Sequence, residues 1–367
     1  MKNNNRVIEA LQAQISEDEV KNICRKNKYI DTARKFTVYR LVEYFVAAAV
    51  GEWNSFRAAE INGASYKLIP IDYSTFSKKA SEVDYNITKE LYKLLVKKIN
   101  RETKRALKLN KYLDAVDSTT ISFGKTTRLW AEYRKTKAGI KLHVTYNVSS
   151  GIPTNAEESN GKVHDSKMLE SVINPENILV ADRGYLNLKR FDKFTVNNQL
   201  FVIRIKDSII ETKKHQLKRL VPDETNVTAD YTCLLGTEES YITENRVRIV
   251  VFNDTYGNEI KVCTNMLDVS SEVIALIYKK RWAVESFFRF MKQHLNIKNL
   301  FGTTENAVYN QLFCALIAYI VLYETYKAVS KKLVHTKLSM VDFIRKMING
   351  TFNTETLILL FDYFANE

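Results

Sequence analysis

Proline and glycine are scarce in this chain of 367 residues, four of the first and eleven of the second. With no low-complexity tract besides, that scarcity excludes disordered and fibrous classes. Cysteine is rarer than glycine: Cys24, Cys233, Cys263 and Cys314 lie far apart, with no CxxC and no close Cys–His pair. Neither a disulfide framework nor a zinc site fits such spacing, and the four read as small buried hydrophobes. Long apolar runs are missing too, the longest being the twelve residues from Leu312 to Tyr323. A membrane-spanning helix needs about 20, so this run reads as a buried helix and no membrane partner is expected. The opening Met-Lys-Asn-Asn-Asn lacks the apolar segment of a secretory signal, and Glu9, Glu17, Asp18 and Glu19 argue against a transit peptide. The expected location is the cytoplasm.

What the chain does have is apolar material for a core, 45% of residues, and a basic surplus. At about 150 residues per domain the length suggests two or three units. The net charge is +13, and +8 of it falls within residues 1–110. Such an excess suits a polyanion, nucleic acid ahead of membrane, the alternative being a lysine-rich solvated surface.

Residues 1–108 read as helical. Apolar residues recur at helical spacing from Phe36 to Trp53, and again from Val83 to Lys108, where Lys97, Lys98, Arg101, Lys104, Arg105 and Lys108 crowd the last turns. That end is the strongest candidate for phosphate contact, with Lys97, Arg101 and Lys104 sharing a face; a solvated face is the alternative. Residues 109–205 then read as strands (112–117, 140–148, 152–156, 178–181, 201–205) with helices over 165–173 and 186–194, a mixed α/β layer. Residues 206–268 are β-rich and look inserted, with a hairpin over 247–252 and 259–265. One long helix is expected from Ser270 or Ser271 to about Ile297 within a segment 269–303, and 304–367 is helical again.

On that long helix Tyr278, Arg281, Glu285 and Lys292 stand at spacings that put them within roughly 60° of one another. One carboxylate thus sits among cations on the edge of a helix whose other side is apolar. Taken alone this could be a surface helix with ion pairs Arg281–Glu285 and Glu285–Arg289. Two aspartates add to it. Asp117 follows one apolar strand, and Asp182 follows Ile178-Leu-Val-Ala181, which has no polar residue. An aspartate at the end of a buried strand is costly unless paired or metal-bound. If these strands are neighbours and the helix packs beside them, Asp117, Asp182 and Glu285 converge as hard oxygen ligands. Such a set suits Mg²⁺ or Mn²⁺, and two ions about 3.5–4 Å apart serve phosphoryl transfer.

The pattern Tyr278-x2-Arg281-x3-Glu285-x6-Lys292, after Asp117-Ser-Thr and Asp182-Arg-Gly-Tyr, resembles the DDE transposases of bacterial insertion sequences, narrowly the YREK-type family founded on insertion sequence four. The resemblance covers roughly residues 110–300. It implies an RNase H-like mixed-sheet core interrupted by a β-rich insertion and flanked by helical regions. It implies that Asp117, Asp182 and Glu285 bind two metal ions, and that Tyr278, Arg281 and Lys292 hold phosphates near the cut. The implied activity is cut-and-paste transposition through a hairpin intermediate, by a homodimer on double-stranded DNA, both element ends and target, in the bacterial nucleoid. The alternative is an RNase H-like nuclease, or a domesticated DNA-binding descendant without transposition. His164-Asp165-Ser-Lys resembles a recurring stretch of the family; Asp165 as a helix cap and a half-buried His164 are the plainer reading. Tyr231, Tyr241 and Tyr256 are open between stacking on an unpaired base and packing on a sheet.

Overall fold

The computed structural model describes residues 6–106, 112–124, 128–134, 137–216, 225–333 and 337–366. Among these, six α-helices precede the first strand: α1 (Arg6–Gln14), α2 (Glu17–Lys26), α3 (Val38–Val50), α4 (Phe56–Asn62), α5 (Tyr73–Glu82) and α6 (Tyr85–Ala106). Local chemistry sets their ends. Ser16 and Glu19 form a reciprocal capping box on α2, with Ser16 Oγ accepting from Glu19 N–H at 3.2 Å. Thr37 caps α3, whose residues are buried nearly all round. On α6, Lys97 is exposed, whereas Lys98 pairs with Glu19 at 2.6 Å and donates to the Gln14 carbonyl at 2.8 Å. Arg101 and Lys104 fall on the last turns of α6, their side chains outside the described residues, as is Lys108.

Eleven strands follow in one sheet: β1 (Leu113–Gly124), β2 (Glu132–Arg134), β3 (Lys137–Asn147), β4 (Ile152–Asn160), β5 (Ile178–Ala181), β6 (Phe201–Arg204), β7 (Glu211–Gln216), β8 (Val227–Thr237), β9 (Tyr241–Ile242), β10 (Val247–Asn253) and β11 (Glu259–Thr264). Four helices belong with them: α7 (Asp165–Val172), α8 (Leu188–Val196), α9 (Ser271–Lys279) and α10 (Trp282–His294). The central order is β4-β3-β1-β5-β6, with β3 and β4 antiparallel and β1, β5 and β6 parallel. The apolar run 178–181 is buried because β5 is interior and covered on both faces. Leu179 and Ala181 join a cluster with Leu169 of α7 and Phe191 of α8, and Val180 joins one with Ile274 and Tyr278 of α9. The buried Asp114 carboxylate pins the register, accepting from Asn147 at the end of β3 and Asn177 at the entry to β5, both at 2.8 Å.

The strands of 206–268 do not stand apart as a sheet of their own. β11 lies antiparallel to β6, with Cys263 opposite Ile203, and β10, β8 and β7 continue outward from it. A sequence reading sees the hairpin β10–β11 but not its partner, because pairing across 60 residues leaves no local signal.

The expected long helix is two. α9 ends at Lys279 and α10 begins at Trp282, joined by a tight turn in which Arg281 N–H reaches the Tyr278 carbonyl at 3.0 Å. Lys280 and Arg281 are good helix formers, so the break comes from packing. α9 lies on β5, β6, β8 and β10, whereas Phe287 of α10 meets Tyr146 of β3 at 5.4 Å. One straight rod does not serve both halves of the sheet.

The chain closes with α11 (Glu305–Ser330), α12 (Met340–Asn349) and α13 (Thr354–Asn366). By length and composition α11 could cross a membrane, yet Leu312 to Leu322 are buried in contact with α1, α3, α5 and α13. Its buried Asn310 is satisfied by Thr88 and by the Val83 carbonyl. The chain divides into two compact units, a helical one of residues 1–105, 121–138 and 288–367 and a sheet unit of 106–120 and 139–287.

Candidate active site

The parallel register of β1 and β5 ends on Val116 opposite Ala181. The residue after each is an aspartate, so Asp117 and Asp182 stand side by side on adjacent strands, whose axes lie about 4.8 Å apart. Alternation sets their face. Val116 and Ala181 point into the cluster under α7 and α8, so Asp117 and Asp182 point to the opposite face, beneath α9. This is the carboxyl edge of the parallel strands, where α/β sheets bind ligands.

Each aspartate is held by the backbone. Asp117 Oδ1 accepts the Ser118 amide at 2.8 Å, and Asp182 Oδ1 accepts the Gly184 amide at 2.6 Å, starting a single 3₁₀ turn over Arg183–Tyr185. A Cβ at residue 184 would lie 2.9 Å from that same carboxylate oxygen, so a side chain there would have to push the carboxylate aside. The turn also sinks Tyr185 into the core beside Val116 and Ala181. Burial pushes its hydroxyl well above the usual phenol range, with the Asp117, Asp165 and Asp182 carboxylates adding to the shift. The tyrosine of this motif carried no role in the sequence reading; the only signal was its place after the aspartate.

Glu285 comes from the first turn of α10. Its Oε1 lies 2.6 Å from Arg281 Nη1, so one of the two expected ion pairs forms; Glu285–Arg289 is not among the ion pairs of the described residues. Arg281 is nearly buried and sits 5.4 Å over the Tyr278 ring, which packs edge-on against Phe252. Arg281 Nε is buried without a hydrogen bond. Lys292 is half-buried on the same helix, seven residues beyond Glu285.

Asp117 feels both of the other carboxylates. Burial is the main reason that Asp117 is pushed up to about 6; Asp182 and Glu285 add to the rise, and the Ser118 amide and Arg281 oppose it. Among the described residues no three acidic, histidine or cysteine side chains close into a ready-made ion cage. The donor chemistry nonetheless fits a hard divalent cation, since a buried carboxyl burdened by two further negative groups is what such an ion relieves.

Beside this lies a second polar group. Asp165 accepts from Ser118 Oγ at 2.8 Å and Lys141 Nζ at 3.0 Å. It is therefore not the cap of α7. His164 is, exposed, with Nδ1 accepting the Ser166 amide at 3.3 Å. Of the three tyrosines in the β-rich stretch, Tyr231 donates to Glu211 and Tyr241 to Asp192, while Tyr256 is exposed at the β10–β11 turn.

The chain belongs to the family of transposase DDE domains, which matches residues 111–321. Over 340 residues, 93% of this chain and 90% of that one, it is 44% identical to a probable transposase for insertion sequence element IS5377 from Geobacillus stearothermophilus. It is 31% identical over 265 residues to a putative transposase for element IS4SA from Synechocystis sp., covering 69% of this chain and 71% of the relative. A looser structural likeness, TM-score 0.49 at 12% identity over 98% of this chain and 81% of the other, is to a piggyBac transposase synaptic complex with hairpin DNA. The protein is thus a DDE transposase of the insertion-sequence kind, an enzyme that cleaves DNA and transfers strands.

Proposed function

We propose that Asp117, Asp182 and Glu285 are the reactive centre and hold two Mg²⁺ or Mn²⁺ ions while the enzyme cuts the terminal inverted repeats of its element and joins them to target DNA. The observation that carries this reading is the strand register, which ends on Val116 opposite Ala181 and so sets Asp117 beside Asp182, together with the Glu285 charge falling on the Asp117 carboxyl. Such ions, when bound, stabilise the attacking and leaving oxygens of an in-line displacement. The chain's own residues orient the strand. Arg281 has a buried Nε without a partner, and a phosphodiester oxygen satisfies it as a charge-assisted bond. Tyr278 fixes the guanidinium plane from below, and Lys292 supplies a second cation two turns along α10. A homodimer on paired element ends, a hairpin intermediate and action in the cytoplasm on nucleoid DNA belong to this reading.

Arg281→Ala and Lys292→Ala are each expected to lower cleavage and end-complex assembly together, about tenfold or more, with the fold intact. Gel shift and cleavage on DNA carrying the element's ends, with Mg²⁺ and with EDTA, are the measurements. Normal activity in the cold with early thermal unfolding would reduce Arg281 to an ion-pair partner of Glu285. Cleavage that survives EDTA would remove the metal from the reading.

The exposed Lys97, with Arg101 and Lys104, is proposed to contact phosphates. Changing the three to Gln is expected to flatten the dependence of log K on log salt by roughly 0.9 per lost phosphate contact, alike on related and unrelated DNA. An unchanged slope moves that contact elsewhere.

A further inference from the structure

The register of β1 on β5 stops at Val116 opposite Ala181, while β1 runs on to Gly124, so Asp117 and Ser118 stand past the end of that ladder. Val116 faces α7 and α8, and alternation turns Ser118, two residues on, to the same side. There its hydroxyl donates to Asp165 Oδ1 at 2.8 Å, while its amide donates to Asp117 Oδ1 at 2.8 Å. One serine thus joins two acids that lie on opposite faces of the sheet.

Asp165 is itself fixed. Lys141 Nζ reaches it at 3.0 Å and the Val163 carbonyl at 2.8 Å. Nδ1 of the fully buried His143 lies 3.9 Å from the same oxygen, with Nε2 on Ser159 Oγ at 2.8 Å. The next residue of α7 ties the same turn to the other aspartate. Arg190 of α8 donates to the Ser166 hydroxyl and carbonyl at 2.8 and 2.6 Å and to the Tyr185 carbonyl at 3.4 Å. Tyr185 closes the turn that Asp182 opens, its amide 3.2 Å from the Asp182 carbonyl. An ion pair that merely bound α7 to the sheet would need Lys141 and Asp165 but would have no use for Ser118.

We propose that Asp165 is a positioning residue for the reactive centre: the first turn of α7 is a brace that holds the Asp117 carboxylate, through Ser118, at a set distance from Asp182. The proposal rests on the assignment of Asp117, Asp182 and Glu285 as that centre. An outer group that orients a metal-binding carboxylate is worth roughly ten- to a hundredfold in metal affinity or activity.

The test separates ion binding from cutting. Mn²⁺ is titrated into the full chain and the free ion counted by its paramagnetic resonance, for wild type, Ser118→Ala, Ser118→Thr, Asp165→Ala and the double Ala variant; cleavage of end DNA is followed in parallel. Ser118→Ala and Asp165→Ala should each weaken Mn²⁺ binding and slow cleavage about tenfold, and the double variant no further than either. Ser118→Thr keeps the hydroxyl and should restore both to within about twofold of wild type. Unchanged Mn²⁺ affinity in Ser118→Ala, or losses that multiply in the double variant, overturn the brace. So does a loss of end-DNA binding in EDTA equal to the loss of cleavage, since Ser118 would then be a DNA contact. If Asp165→Ala does not fold because Lys141 is left unpaired, Ser118→Ala, which keeps that ion pair, decides. Asp117→Asn beside them tests the centre: wild-type Mn²⁺ binding and cleavage there overturn that assignment, whereas loss there with none in Ser118→Ala overturns the brace alone.

Discussion

Asp117→Asn is expected to lose at least about a thousandfold in DNA cleavage while folding more stably than the wild type at neutral pH. The catalytic loss follows if this carboxylate holds a cation that stabilises charge in the transition state, an effect of several kcal/mol, with each 1.36 kcal/mol a factor of about ten. The gain in stability follows from the raised carboxyl. In the fold Asp117 is pushed up to about 6, chiefly by burial, against about 3.9 in an unfolded chain. Between these values the folded state binds more protons than the unfolded one, so stability falls as pH rises through that window. Above it, the fold carries a charge that it disfavours, at a cost on the order of 3 kcal/mol. Asparagine removes that cost and the slope with it. Urea unfolding at pH 5 and pH 7.5 measures both, and the difference between variant and wild type should be about half open at pH 5 and fully open at pH 7.5. Added Mg²⁺ should stabilise the wild type by mass action and the variant less. A variant that is less stable at pH 7.5, or that still cuts, contradicts the account.

The second large effect concerns a pair far from any motif. Arg248 of β10 is fully buried and bidentate to Asp230 of β8, at 2.8 and 2.6 Å. It also donates to the Met266 carbonyl at 2.9 Å and the Val269 carbonyl at 2.5 Å, the segment that leads into α9. Asp230→Ala leaves this guanidinium charged and uncompensated, and about 3–5 kcal/mol of stability should go with it. Arg248→Met combined with Asp230→Leu should restore much of that, because neither charge is then buried. Since the same arginine fixes where α9 begins, Asp230→Ala should also impair cleavage under conditions where it remains folded. Urea denaturation with the slope held constant decides it; a loss under about 1 kcal/mol would mean that water or a shifted backbone satisfies Arg248.

Asp182 was legible because an apolar run that stops on an acid contradicts itself unless the acid has work at the strand end; the same reading found Asp117, although β1 runs on past it to Gly124. The spacing of Tyr278, Arg281, Glu285 and Lys292 was legible as a stripe, but the bend at Lys280–Arg281 was not, because both residues favour helix and the turn is imposed by the two halves of the sheet. The partners of β6 were invisible for a different reason. Nothing in Phe201-Val-Ile-Arg204 says which strand lies alongside, and its place beside β5 appears only with the register. The exchange of roles between His164 and Asp165 is of the same kind: either can cap a helix, and Asp165 is drawn away by Ser118 and Lys141.

The pairing of β11 with β6 bears on where this chain can change length. β5 and its aspartate are interior because β6 covers them, and β6 is interior only because β11 returns to it across the β-rich stretch. Excising residues 206–264 would leave the Val202–Arg204 amides and carbonyls as an open seam one strand from the cutting residues, inviting a second chain to zip onto it. Additions and losses in relatives should therefore gather at the outer rim, around β7 and the β8–β9 and β10–β11 turns, and spare β11. Grafting another module in place of this stretch would need to bring its own final strand for β6.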